Sequence, residues 1–270
     1  MITTLSAPAP LIPAMVQPSA ASTAAFLAVV AAVALMIVLG VRAAGPRLGE
    51  ARATTRRWTL GAALGVLGWM AITAAISASG ALEAAPPRVM LFFGLCNLAA
   101  VIFALSRAGT RLVDGLPAAA LVAFHGFRLP LELVLHRWYE EGVLPAQMTY
   151  VGRNFDVVTG VLALAIGAWL WRRGGDRDAP GVRPALWIFN LVGLGLLINV
   201  AAIAVLSSPV PFRAFHEGPA VLLAYHAPYG WIVPMCVSTA LAGHLLIFRG
   251  LWRGLWRGLW RGRAGGPLSR

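Results

Sequence analysis

A chain of 270 residues with 59% hydrophobic and only 12% charged residues, and a mean hydropathy of +0.76, has too little polar surface for a water-soluble globule. Soluble domains carry about 25% charge, so a soluble enzyme and a nucleic-acid binder are both excluded. The net charge of +12 comes from 22 basic residues, all arginine, against 10 acidic ones, an excess suited to the negative inner face of a membrane.

Residues 1–21 are uncharged and rich in Ala, Pro and Ser, and read as a disordered tail. A helix needs roughly 20 apolar residues to cross a bilayer. Seven segments qualify: 22–41, 58–80, 88–106, 116–138, 155–171, 184–206 and 228–248. The first has no positive residue ahead of it and is long enough to cross, so it reads as a span rather than a signal peptide. The expected fold is all-α, a polytopic transmembrane bundle occupying residues 22–248, followed by a basic tail over 249–270.

The arginines set the orientation. Cytoplasmic loops carry the excess of basic residues, and 17 of the 22 arginines fall after spans one, three, five and seven, among them Arg42–Arg57, Arg107, Arg111, Arg172–Arg183 and the C-terminal group from Arg249 onward. The alternate side has Arg88, Arg137, Arg153 and Arg213. This predicts an N-terminus outside and a C-terminus inside, in the inner (cytoplasmic) membrane. It also requires span four, the one interrupted by charge, to cross.

Glycines in spans two and six (Gly61, Gly65, Gly68, Gly193, Gly195) are expected to be small-residue helix contacts, and Asn97, Asn190 and Asn199 interhelical hydrogen-bond donors. Cys96 and Cys236 lie within spans and are expected to pack as small apolar groups. The repeat Arg-Gly-Leu-Trp over 249–262 puts Trp at the headgroup level and Arg against anionic lipid. The alternative is a neutral repeat expansion, since Gly at every fourth position weakens a helix.

Span four holds the chemistry. His125, Arg128, Glu132, His136 and Tyr139 fall at spacings of three and four, on one helical stripe that must turn from lipid. Each charge at mid-membrane costs about 2.5–3.5 kcal/mol on insertion scales. The one-turn spacing predicts an Arg128–Glu132 pair, and Pro130 predicts a kink. Counting back from Trp138 at ~1.5 Å per residue, Glu132 lies about 9 Å and Arg128 about 15 Å below the outer surface. At the entry to span five, Asn154 and Asp156 are placed to cap the helix; alternatively Asp156 joins the pocket mouth and contacts His136. Five polar groups in line favour an outward-facing pocket that binds a small polar or anionic ligand, with Arg128, Glu132, His136, Asn154 and Asp156 as its residues. The competing reading is a structural ion pair.

Arg128-x-Pro130-x-Glu132, followed by Met148-Thr149 and Gly152-Arg153-Asn154-Phe155-Asp156, resembles a family of bacterial multi-spanning membrane proteins with no assigned function. The resemblance takes in roughly residues 120–250, including Ser208-Pro209-Val210-Pro211, and departs from the family pattern at Val151, where an acidic residue is usual. It implies a helical membrane domain and assigns no catalytic residue.

His136, His216 and His226 with Glu140 and Glu217 are the conceivable zinc ligands on the outer face, but no His-x-x-x-His or His-Glu-x-x-His spacing fixes two of them on one helix. No metal and no cofactor are expected. The absence of lysine excludes a retinal Schiff base. The leading expectation is therefore a non-enzymatic membrane protein that binds, senses or translocates a small solute or ion. The alternatives are a metal-dependent membrane hydrolase acting on lipid head groups and a structural subunit of a membrane complex.

Overall fold

The computed structural model describes residues 12–85, 87–174 and 181–264, with side chains as far as Arg253. The start of the N-terminal tail, Arg177 and the side chains of most of the C-terminal repeat lie outside the described residues. Every regular element described is helical: α1 (Ala20–Arg47), α2 (Arg52–Ala78), α3 (Pro87–Leu105), α4 (Arg107–Gly115), α5 (Ala118–Ala123), α6 (Arg128–Glu140), α7 (Val157–Arg172), α8 (Val182–Ser207) and α9 (Ser238–Ala264). Six helical stretches are long and apolar enough to cross a membrane, and α7, with 16 residues, is shorter but equally apolar. The backbone of α9 continues as helix through most of the repeat.

Two of the long stretches are not regular. A 3-10 turn over Phe124–Phe127 joins α5 to α6, and together they make one broken stretch, Ala118–Glu140. The break lies before Pro130 rather than at it. Pro130 has no N–H for the Gly126 carbonyl four residues back and its ring crowds that group, which the Arg128 amide takes instead. Likewise a π-helical turn, Ile232–Val237, holds Pro234 ahead of α9.

Cross-chain hydrogen bonds define the two ends of the bundle. At one end Glu141 accepts from the Ser19 amide and hydroxyl (3.0 and 2.7 Å) and from the Ser22 hydroxyl (2.8 Å), so the end of α6 sits on the start of α1. The Thr23 and Tyr229 hydroxyls are 3.1 Å apart there, and Ser77 at the end of α2 donates to the Ala224 carbonyl. At the other end Arg111 binds Glu50 through two nitrogens (2.9 and 2.7 Å) and the Val41 carbonyl, and Arg249 donates to the carbonyls of Ala104 and Ser106. Arg111 and Glu141 thus lie at opposite ends of α1, and the charged fourth segment runs the full height of the bundle.

Two apolar cores stack along that height, one around Phe26, Trp138, Leu197 and Tyr229 near the Glu141 end, the other around Val41, Val113, Leu170 and Phe189 near the Arg111 end, and a third cluster around Leu82, Phe92 and Tyr225 packs α3 against the connection before α9. The fourth segment is central, with 67% of its apolar window buried, whereas α2 has 6% buried and lies on the outside. In hydrocarbon, apolar contact alone drives little helix association, so close packing and polar ties matter more than in water. At Gly160 a side chain has no room, since a Cβ would sit 2.5 Å from the Leu129 backbone nitrogen. Gly160→Leu is expected to push α6 from α7 and lower the unfolding free energy by about 1–3 kcal/mol, read as a shifted midpoint in a detergent-denaturation titration. The glycines of α2 behave differently from the sequence expectation. Gly61, Gly65 and Gly68 face open space, as does Gly195, and of that set only Gly193 makes a close approach.

The Glu141 clamp carries a pH signature. Its partial burial raises the pKa, but the Ser19 and Ser22 hydroxyls, the Ser19 amide and Arg137 outweigh that and hold the carboxyl below its usual value. A carboxylate stabilised this way supports the fold at neutral pH, and the support is lost as pH falls through its folded pKa. Glu141→Gln should therefore lower the unfolding midpoint at pH 7 and leave it close to wild type in strong acid. An equal effect at both pH values would remove the clamp from the account.

Candidate functional site

Between the two cores the polar residues of four helices meet. Arg128 opens α6 and is 1% exposed. Its guanidinium grips the Asp156 carboxylate through both Nε and Nη2, and Nη1 donates to the Gly193 carbonyl and to His244 Nε2, both at 3.1 Å. The spacing on α6 predicts an Arg128–Glu132 pair; the structure gives the arginine to Asp156 instead. A planar fork facing a carboxylate on a neighbouring helix makes two parallel charge-assisted bonds, which a side chain one turn along the same helix is poorly placed to offer.

His244 extends the tie into α8 and α9. Because a guanidinium only donates, His244 Nε2 accepts and Nδ1 carries the proton, which it gives to Asn190 Oδ1 at 2.7 Å; the Asn190 amide returns a bond to the His244 carbonyl at 3.0 Å. Gly193 makes room for this ring, which a Cβ there would strike. His125 lies against His244 with ring centroids 4.0 Å apart, fully buried and with neither ring nitrogen hydrogen-bonded.

Glu132 is left with a different partner. Asn154 donates its amide to both carboxylate oxygens (2.9 and 2.8 Å) and to the Met148 carbonyl at 3.0 Å, while Asn154 Oδ1 accepts from the Asp156 amide at 3.1 Å. Asn154 therefore holds the loop before α7 and presents Glu132 at the same time. The Asp156 side chain makes no cap bond to the amides of α7. Its carboxylate is taken by Arg128 and by the Thr159 hydroxyl (3.0 Å), so the capping alternative is set aside for this residue.

Beside Glu132 a cavity of about 90 Å³ opens between α3, α6, α8 and the start of α9 and extends toward the connection at Ser208, Val221 and Leu223, which belongs to the Glu141 end. Its walls are apolar, with Phe93, Leu131, Leu197 and Cys236 among them, and Glu132, Asp156 and Arg128 supply the charge. Four of the five residues expected at the site, Arg128, Glu132, Asn154 and Asp156, are thus brought together. His136 is not. It stands at the end of α6, stacked on Tyr150 with centroids 4.5 Å apart and 3.7 Å from Glu140, and its expected contact to Asp156 does not form. Asn190 makes the interhelical hydrogen bond expected of it; its place with His244 in the Arg128 network is what the sequence reading does not include, although a histidine and an asparagine inside apolar segments were the available signal.

The other histidines form no centre with it. His226 pairs with Glu83 at 3.2 Å and His216 is exposed. Among the described residues no three His, Cys, Asp or Glu side chains converge on a metal-sized space. Cys96 and Cys236 are both buried and free.

A domain of unknown function, DUF8737, matches residues 86–252. The chain belongs to this family. Every residue of the Arg128 network lies within the DUF8737 portion, whereas α1 and α2 precede it. No curated protein and no solved structure matches the chain.

Proposed function

We propose that this DUF8737 protein is a seven-span protein of the cytoplasmic membrane that holds a proton or a small cation at Glu132, in a pocket open to the outside. The six long stretches and α7 are its spans. The Glu141 end faces out and the Arg111 end faces in, because the arginines at the end of α1, the start of α2 and in α4 and α9 gather at the Arg111 end, where anionic lipid lies. The Trp/Arg repeat meets the same leaflet.

The observation that carries the reading is the charge count at the cavity. Two buried carboxyl groups, Glu132 and Asp156, face one guanidinium, and that guanidinium is committed to Asp156. A buried charge without a partner is strongly disfavoured and is neutralised instead. Glu132, supported only by a neutral amide and bordering the cavity, is the group that takes a proton or a cation. Arg128 is paired with Asp156 and tied to α8 and α9 through Nη1, so its charge is already matched and the pocket favours a positive or neutral guest over the anion that the arginine alone implies. An intramembrane carboxyl group in a cavity suits sensing or translocation.

The test uses protein reconstituted in liposomes at fixed internal pH. Infrared difference spectra taken as external pH is stepped are expected to show a protonated-carboxyl band that responds to the outside. A band that follows only internal pH, or no responsive band, would remove the outward-facing pocket.

A further inference from the structure

A second apolar space lies in the half of the bundle away from Glu132. One groove, of about 770 Å³, runs between α1, α2, α3 and α9 past Gly61, Gly65, Ala100 and Met235; another, of about 600 Å³, runs between α1, α5 and α9 past Gly40, Leu116 and Leu246. Both fall in the range of about 300–1,000 Å³ usual for ligand sites. They share a wall, made by Ile37, Phe103, Thr239 and Ala242, so they are two limbs of one space straddling α1. Each limb has an arginine among its lining residues: Arg57 with Thr54 on the first, Arg47 on the second. Those two arginines flank the short connector between α1 and α2. Both are exposed and neither has an ion pair among the described residues. The acidic group of the connector, Glu50, is already held by Arg111, and Asp114 by Arg253.

Two apolar limbs that share a wall, each with an exposed arginine among its lining residues near the α1–α2 connector, match one kind of guest. We propose that this space binds a single two-chain anionic phospholipid of the inner leaflet, its phosphate between Arg47 and Arg57 and one acyl chain in each limb. Charge selects the head, since arginine pairs with phosphate through its planar fork. The apolar lining selects the chains, and the sparse packing of α2 leaves the first limb open to the bilayer. The site is separate from Glu132 and shares with the preceding proposal only that the helices cross a membrane with the Arg111 end inside.

Native mass spectrometry of the full chain in mild detergent, with added dioleoyl phosphatidylglycerol or dioleoyl phosphatidylcholine, tests it. The expected result is one phosphatidylglycerol per chain, bound more tightly than phosphatidylcholine. An arginine near an anionic surface contributes about fivefold, so Arg47→Gln with Arg57→Gln should weaken phosphatidylglycerol about 25-fold, and Arg88→Gln at the opposite end should leave it unchanged. Gly61→Leu with Gly65→Leu fills the first limb. A Cβ at either position meets nothing within 4 Å, and leucine is the better helix former, so the variant is expected to fold, keep its unfolding midpoint and lose the lipid. Equal affinity for the two lipids overturns the proposal, as does undiminished phosphatidylglycerol binding in either double variant. Binding is read by mass and involves no proton, so a failure here leaves the Glu132 reading intact, and a failure there leaves this one intact.

Discussion

Arg128→Leu is expected to lower the unfolding free energy by about 3–5 kcal/mol, the range for removing one partner of a buried ion pair. The loss has two sources. Asp156, 4% exposed, loses its counter-charge and must take a proton to stay buried, with only the Thr159 hydroxyl for support. The bonds from α6 to the Gly193 carbonyl and to His244 disappear together. An unfolding titration in mixed micelles measures the change. Arg128→Leu combined with Asp156→Leu removes both charges, and such replacements are often neutral or stabilising, so the double variant should recover much of the loss. A double variant as weak as the single one would mean that the hydrogen bonds to α8 and α9, and not the orphaned carboxylate, dominate.

Glu132→Gln is expected to do the opposite: to abolish the function and spare the fold. Glutamine keeps the shape of glutamate and one acceptor for the Asn154 amide, so stability should stay within about 1 kcal/mol of wild type. The externally responsive band of the buried cavity carboxyl should vanish, leaving only the absorption of the carboxyl groups at the outer end, because no other carboxyl group at the cavity is free of an arginine. Persistence of the band in Glu132→Gln would assign it to another group and withdraw Glu132 from the site. Asn154→Ala is the companion: it removes the donor that positions Glu132 and should lower stability by about 1–3 kcal/mol as well.

How much of this was legible in the sequence depends on how far each feature reaches along the chain. Composition and periodicity are local, and they identify every long apolar helix and the stripe on the fourth. The stripe assumes one continuous helix from His125 to Tyr139. The 3-10 turn ahead of Arg128 breaks that assumption, so His125 leaves the register of α6 and lies against His244, while Arg128 and Glu132 stay one turn apart on α6 and reach different partners, Asp156 and Asn154. The partners of Arg128 lie 28, 65 and 116 residues away, and no spacing rule reaches that far. Helical spacing favours the wrong pair for the same reason: it ranks Glu132, four residues on, above an aspartate in another element. His136 obeys the spacing but sits one turn too near the end of α6, where Tyr150 and Glu140 claim it. The glycines of α2 mislead because small residues signal either a close helix or an open groove, and only the position of α1 decides between them.

The Arg128 tie has a consequence for biogenesis. On the proposed seven-span reading, a nascent chain that emerges from its N-terminus delivers the fourth segment before the helices that carry the partners of its arginine. With 28 residues separating Arg128 from Asp156 and 116 from His244, the segment is expected on that reading to stay beside α1 until the next hairpin arrives. Trp138 bonds to Ser22, and Glu141 to Ser19, in the finished protein. These contacts need only chain already synthesised, so the first helix is the natural holding partner during that interval.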